Sequence, residues 1–330
     1  MKIIKIHEVD NIAVTLEDVK KGETLTSGSS SLVALEDIDK GHKIALRDIR
    51  KDENIIKYGF PIGHAICDIK AGEWVHTHNL KTNLGEILEY EYHEKNIKFE
   101  QLKCDITFKG YRRKNGKVGI RNEIWIIPTV SCVNRNAELI AKRAAREFEG
   151  IEGIDGIYEL KHPYGCSQLG SDLFYTQKIL ADLVNHPNAG GVLVLGLGCE
   201  NNNVEEFKKV LGNYGQDRVK FLVAQEVEDE IEVGVELVKE LIEYASQFKR
   251  EECPLSDLVI GLKCGGSDGF SGITANPLVG AFSDKIIAYG GSAILTEVPE
   301  MFGAETILMD RAKNKEVFEK IVNLINNFKE

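Results

Sequence analysis

The sequence predicts an α/β protein in which a small β-rich N-terminal domain precedes parallel-sheet α/β domains, and three patterns predict it. A short Asp-aliphatic phrase recurs four times before residue 73. From Asn122 onward, apolar runs alternate with stretches of helical periodicity. Four of the apolar runs end in a cysteine beside glycine or polar residues. That is the carboxyl edge, where open α/β sheets bind ligands.

The elements follow in order. The opening MKIIKIHEVDNIAVTLEDV alternates like a half-buried strand and does not read as a signal peptide. The phrase then appears as Asp18-Val19-Lys20-Lys21-Gly22, Asp37-Ile38-Asp39-Lys40-Gly41, Asp48-Ile49-Arg50-Lys51-Asp52 and Asp68-Ile69-Lys70-Ala71-Gly72. Each is an Asp-aliphatic pair followed by a turn and a new strand, so residues 1–95 form a compact β-rich module. The charged stretch Glu89 to Lys98 reads as a linker or docking strap. Residues 105–250 form an α/β domain with helices expected at Asn136 to Glu149, Ser171 to Asn185, Val204 to Leu211 and Glu228 to Phe248. A further α/β unit spans 253–330, with helices at Asn276 to Tyr289 and Lys315 to Phe328. Alternating strands and helices imply parallel strands joined by right-handed crossovers. The cysteine-ended runs are IWIIPTVSC to Cys132, IYELKHPYGC to Cys166, VLVLGLGC to Cys199 and LVIGLKCGG to Cys264. If their strands share one sheet, all four thiols gather at its carboxyl edge.

Composition narrows the function. The chain has 330 residues, 43% apolar and 28% charged, enough for two or three domains. No stretch reaches membrane-spanning length, so the expected address is the cytoplasm. Seven cysteines, four of them after strands, do not suggest a disulfide framework. A net charge of −11 with scattered lysines argues against a nucleic-acid partner.

Residues 1–79, with GHKIALRDI and IIKYGFPIGHAICDIKAGEWVHTHNL, followed by GYRRKNGKVGIRN, HPYGCSQ, GLGCENN, LKCGGSDGFSGITANP and ILTEVPEMFGAE, resemble the altronate and galactarate dehydratase family over essentially the whole chain. The resemblance lies closest to the altronate dehydratases. It implies an N-terminal domain of the SAF type, then α/β domains, and a cytoplasmic dehydratase of hexonic or hexaric sugar acids that depends on divalent iron or manganese. Such proteins generally extend past the position of Glu330, so this chain is expected to lack part of the C-terminal region and to turn substrate over poorly. A homo-oligomer is compatible with the sequence.

Three groups of residues carry the chemistry. His76 and His78, two apart in Val75-His76-Thr77-His78, project side by side if that segment is a strand, with His42 near enough to complete a metal site. On spacing alone, strand histidines bonded to backbone are the plainer reading; the resemblance favours the site. His64, in a turn, reads as a surface polar residue. The thiolates of Cys166, Cys199 and Cys264, each beside glycine, suit metal ligation or catalysis; for Cys132 packing is equally plausible, and Cys67, Cys104 and Cys253 read as packing. An iron–sulfur cluster or Zn²⁺ ranks behind divalent iron or manganese. Whether metal sits on histidines or cysteines stays open.

The third group is an anion cradle. Gly265, Gly266, Ser267 and Asp268 follow a strand and precede a helix, so their backbone N–H groups are suited to a carboxylate. No GxGxxG with a matching acidic residue and no GxxxxGK[ST] loop occurs. Of Arg112, Arg113, Lys117 and Arg121, Arg121 is the expected partner of a sugar-acid carboxylate. The chemistry expected is removal of the proton beside the carboxylate, with the enediolate stabilised by a metal bound through the carboxylate and α-hydroxyl, then loss of the β-hydroxyl, assisted by a general acid or the metal, to give a 2-keto-3-deoxy acid. His76 or His78 would serve as base or acid unless occupied as ligands. The alternatives are a related lyase, such as one releasing sulfite from sulfolactate or acting on galactarate, and a non-catalytic sugar-acid-binding fragment.

Overall fold

The computed structural model describes residues 2–27, 30–83, 87–93, 101–103, 105–266 and 268–330. The chain forms two compact units, Met1–Leu102 with Val259–Glu330, and Lys103–Leu258.

In the first unit the short strands are β1 (Ile3–Ile4), β2 (Ile12–Thr15), β3 (Thr24–Ser27), β4 (Ser30–Val33), β5 (Lys43–Ala45), β6 (Asn54–Lys57), β7 (Phe60–Ala65), β8 (Trp74–Val75) and β9 (Leu80–Lys81). They pair antiparallel in the orders β1-β2-β5-β8 and β6-β7-β9, with β3–β4 as a hairpin. The recurrent phrase explains this packing. Val19 bridges Ile38, while Asp18 accepts a hydrogen bond from Lys40 N and Asp37 from Lys21 N. The second pair repeats the clasp: Ile49 bridges Ile69, Asp48 accepts from Ala71 N, and Asp68 from Lys51 N. All four aliphatic members are buried, two in each of two adjoining cores. The phrase ends in a left-handed residue at Gly22, Gly41, Asp52 and Gly72. Glycine adopts that conformation without Cβ strain, and Asp tolerates it better than most residues.

The second unit begins with β10 (Thr107–Arg112) and β11 (Val118–Gly119), then runs β12 (Glu123–Pro128), α1 (Asn134–Glu147), β13 (Gly156–Glu159), α2 (Gly170–Val184), β14 (Ala189–Gly196), α3 (Val204–Leu211), β15 (Val219–Val223), α4 (Glu230–Ala245) and β16 (Glu251–Pro254). Strands β13-β12-β14-β15 form a parallel sheet. Alternation assigns its two faces. Ile124, Ile126, Leu193 and Leu195 pack with α1 and α4, whereas Trp125, Ile127, Val192 and Val194 pack with α2 and α3. Both faces are covered, which is why β14 is buried at every residue.

The four cysteine-ended strands do not share one sheet, the condition on which all four thiols would gather at one edge. After α4 the chain returns as β16, which pairs antiparallel with β10 through Phe108 and Cys253. The fourth cysteine-ended run is β17 (Val259–Leu262), which belongs to the first unit and pairs in parallel with β18 (Ser292–Leu295), following α5 (Ala275–Ala288). Leaving the parallel sheet through an antiparallel partner is what separates β17 from β12, β13 and β14. The chain closes with α6 (Glu305–Met309) and α7 (Lys315–Lys329). Residues 89–93 of the expected strap lie against these helices. Tyr90 donates to Glu305 at 2.5 Å, and the Tyr92 ring lies 5.3 Å from that of Phe318. Residues 94–98 of the strap lie outside the described residues. Among the described residues no helix is long and apolar enough to cross a membrane.

Candidate functional site

Three histidines surround one indole in the first unit. Strands β5 and β8 pair with Lys43 opposite Val75 and Ile44 opposite Trp74, so extending the register by one residue sets His42 against His76. Their ring centroids are 5.4 Å apart. The Trp74 ring lies 5.3 Å from His42, 5.0 Å from His76 and 5.1 Å from His78. The backbone of His42 is pinned by buried Thr15, whose N–H donates to His42 O and whose hydroxyl oxygen accepts from His42 N.

The route by which His76 and His78 meet the indole differs from the strand expected. Strand β8 ends at Val75 and residues 76–79 turn. Buried Asn79 makes the turn, accepting from His76 N at 2.9 Å and donating to Trp74 O at 2.8 Å. A turn, not pleat alternation, therefore aims both imidazoles. His64 lies in β7 with its Nδ1 2.7 Å from Asn83 Oδ1.

Two lysines that sequence reasoning passed over stand beside this cluster. Desolvation, and then the charge of Lys57, hold the Lys43 ammonium below the ordinary lysine range. Desolvation also lowers Lys57, whose ammonium lies 4.6 Å from the centre of the Tyr58 ring, with Asp10 partly offsetting the shift. Neither lysine forms an ion pair among the described residues. His76 is held below the usual imidazole range by desolvation first, then by Lys43, His42 and His78. This concentration of positive groups was hidden in the sequence because a strand lysine ordinarily points to solvent.

The segment after β17 closes on the same turn. A Cβ on Gly269 would lie 3.2 Å from Gly41 Cα, and one on Gly272 would overlap the Tyr58 hydroxyl. The Lys40 ammonium lies 5.4 Å from the centre of the Phe270 ring. Within the expected anion cradle, Gly265 and Gly266 are exposed, and Ser267 lies outside the described residues. Asp268 accepts from Phe270 N at 2.6 Å, so that N–H is already used within the loop. Cys264 is exposed, its N–H donating to Glu297 at 2.7 Å.

The other candidates lie in the second unit. Arg121 precedes β12, at the amino end of the sheet, and pairs with Glu123 at 3.0 Å with its side chain about half exposed. The carboxyl edge is where ligands gather, so the position does not suit its expected role. Its neighbour Arg113 is the buried one, donating to Pro187 O, Asn122 Oδ1 and Arg121 O. Burial lowers the Arg113 pKa to about 10. At the carboxyl edge, exposed Cys132, Cys166 and Cys199 occupy loops tied to one another: Asn201 N donates to Cys166 O, and Ser131 N to Tyr164 O. Buried Glu200 accepts from the Thr129 hydroxyl at 2.6 Å and from the N–H groups of Leu197 and Gly198. It joins the end of β12 to the end of β14, a tie that the sequence did not single out. Cys253 is buried, Cys67 is exposed, and Cys104 lies outside the described residues.

A divalent metal on His42, His76 and His78 does not fit this arrangement. Among the described residues no group of three His, Cys, Asp or Glu side chains is placed to hold one. The Nδ1 of His42 already accepts the Trp74 indole N–H at 3.0 Å. Two cavities lie elsewhere: one of about 640 Å³ is lined by Tyr90, Tyr92 and Phe318, and one of about 330 Å³ by Asp10, Asn11 and Leu46. The histidine–lysine cluster is half-buried and edged by the Gly269 segment.

Three family descriptions match in succession: the altronate/galactarate dehydratase SAF domain over residues 1–83, the second domain of D-galactarate dehydratase/altronate hydrolase over 110–246, and the D-galactarate/altronate dehydratase C-terminal domain over 255–330. Altronate dehydratase of Bacillus subtilis (strain 168) is 57% identical over 99% of this chain and 66% of its own length. Altronate dehydratase of Escherichia coli (strain K12) is 49% identical over 100% of this chain and 67% of its own. Galactarate dehydratase (L-threo-forming) of the same strain is 33% identical over 97% and 63%. The chain thus spans about two thirds of the length of these curated relatives.

Proposed function

This chain belongs to the altronate/galactarate dehydratase family, and on that premise we propose that it is a hydro-lyase whose sugar-acid site is the histidine–lysine cluster around Trp74. The observation that carries the reading is the gathering of His42, His76 and His78 on one indole beside two desolvated lysines without ion-pair partners among the described residues. Desolvated, unpaired cations are costly in a folded protein, and an anionic substrate offsets that cost. Lys43 and Lys57 receive the carboxylate of an acid such as altronate or galactarate.

Neutral His76 then takes the proton from the carbon beside the carboxylate. Its depressed pKa keeps the ring unprotonated near neutrality, as a base requires. The resulting imidazolium returns the proton to the departing β-hydroxyl. One C–H and one C–O bond break, water leaves, and the enol tautomerises to a 2-keto-3-deoxy acid. His42, His76 and His78 do not form a divalent-metal site among the described residues.

The test is to incubate the purified chain with altronate, galactarate and sulfolactate and to measure keto acid and sulfite. Keto-deoxy acid from a sugar acid, lost in His76→Ala, supports the reading. Sulfite release selects the alternative lyase, and binding without any product reduces the chain to a sugar-acid-binding module.

A further inference from the structure

An indole N–H donates and has no lone pair to accept with. The Trp74 Nε1–H points at His42 Nδ1 at 3.0 Å, so Nδ1 must present its lone pair there, and the proton of the neutral ring resides on Nε2. We infer that Trp74 fixes His42 as its Nε2–H tautomer, making His42 a neutral hydrogen-bond donor to the substrate rather than a metal ligand.

The bond is set by structure at both ends. The indole is carried by β8, where Trp74 N donates to Glu36 Oε1 at 2.8 Å and Trp74 O accepts from Asn79. The imidazole is carried by the turn into β5, where Thr15 grips the backbone of His42 on both its N–H and its C=O. Two strands in register hold the two rings with centroids 5.3 Å apart and planes inclined at 59°. A metal would require a free lone pair on one ring nitrogen. In this tautomer Nδ1 has given its lone pair to the indole and Nε2 carries hydrogen.

The same chemistry defines what His42 can do. A neutral imidazole that loses its only proton becomes an imidazolate, so it is unsuited to giving up a proton outright. It is well suited to donating a hydrogen bond to an oxygen that gains negative charge. His42 faces His76 across the β5–β8 ladder. Resting on the dehydratase reading above, His76 removes the proton while His42 Nε2–H stabilises the enediolate oxygen, and Trp74 is the positioning residue that keeps the donor in place.

The primary experiment does not need turnover. In the chain labelled with ¹⁵N-histidine, long-range ¹H–¹⁵N correlation should give His42 a pyridine-type Nδ1 and a pyrrole-type Nε2, with the signal assigned by its loss in His42→Gln. In Trp74→Phe the same ring should become a mixture of tautomers. A pyrrole-type Nδ1 in the unsubstituted chain overturns the inference whether or not the variants fold. Titration with Mn²⁺ alone supplies a second readout: equal affinity of the unsubstituted chain and His42→Gln, or binding by neither, agrees with a non-ligand, whereas a tenfold or greater loss in the variant overturns it. Sugar-acid turnover should fall about 10²–10³-fold in His42→Ala; an unchanged rate rejects the catalytic role. Absence of turnover in the unsubstituted chain with the tautomer intact sinks the dehydratase reading and leaves the tautomer lock standing.

Discussion

Lys43 stands opposite Val75 in the antiparallel ladder of β5 and β8, and this register sets His42 facing His76. The same pairing puts a desolvated ammonium one residue from an imidazole whose pKa it depresses. Two measurable consequences depend on that neighbourhood.

The acid limb of the pH–rate profile should report His76. Its imidazolium is destabilised by desolvation first and by Lys43 second, so the neutral base persists below the ordinary imidazole value of about 6.5. Lys43→Met removes one repelling charge and should move the limb upward. Because desolvation remains, the return should be partial. A limb that stays put in the variant would show that the base is another residue.

Substrate affinity and stability should respond in opposite directions at the lysines. Lys43→Met and Lys57→Met should each raise the sugar-acid concentration needed for half-maximal rate, while the thermal midpoint stays level or rises. The sign follows from the depressed pKa values: a group whose charged form is penalised by folding destabilises the native state wherever it is charged. Weaker folding with unchanged KM would make them structural.

In the second unit the two arginines should separate cleanly. Arg113→Ala leaves Pro187 O and Asn122 Oδ1 without their donors and should cost about 2–3 kcal/mol in urea unfolding. Arg121→Ala loses a half-exposed pair and should stay within about 0.5 kcal/mol. Equal losses would contradict the burial difference.

Acid should loosen the clasps between the repeated phrases. Backbone hydrogen bonds first, then nearby lysines, depress the carboxyls of Asp37 and Asp48. A lowered folded pKa contributes stability that is complete above the unfolded value of about 3.9 and is lost as pH falls through the folded value. Asp37→Asn with Asp48→Asn should therefore flatten the drop in thermal midpoint at low pH. An unaltered slope would assign acid sensitivity elsewhere.

Much of the fold was legible because its cause is local. The four phrases declared their turns through Asp, an aliphatic and a left-handed terminal residue, and the structure clasps them in two pairs. The helix expected at Val204 to Leu211 is α3 itself, and the others agree to within three residues at each end, where periodicity no longer fixes the boundary. The apolar run in β14 correctly announced a strand covered on both faces.

What the sequence determined by itself was therefore the identity of the elements, the faces they bury, and the family that their motifs resemble. Tertiary structure alone decided that β17 leaves the parallel sheet, that Asn79 turns His76 and His78 onto one indole, that Lys43 and Lys57 share a desolvated neighbourhood, and that Trp74 claims the Nδ1 of His42. The division has one physical reason. Hydrophobic period reports burial along a single segment, whereas the direction of a hydrogen bond and the charge beside an imidazole depend on the register between strands that are thirty or so residues apart in the chain.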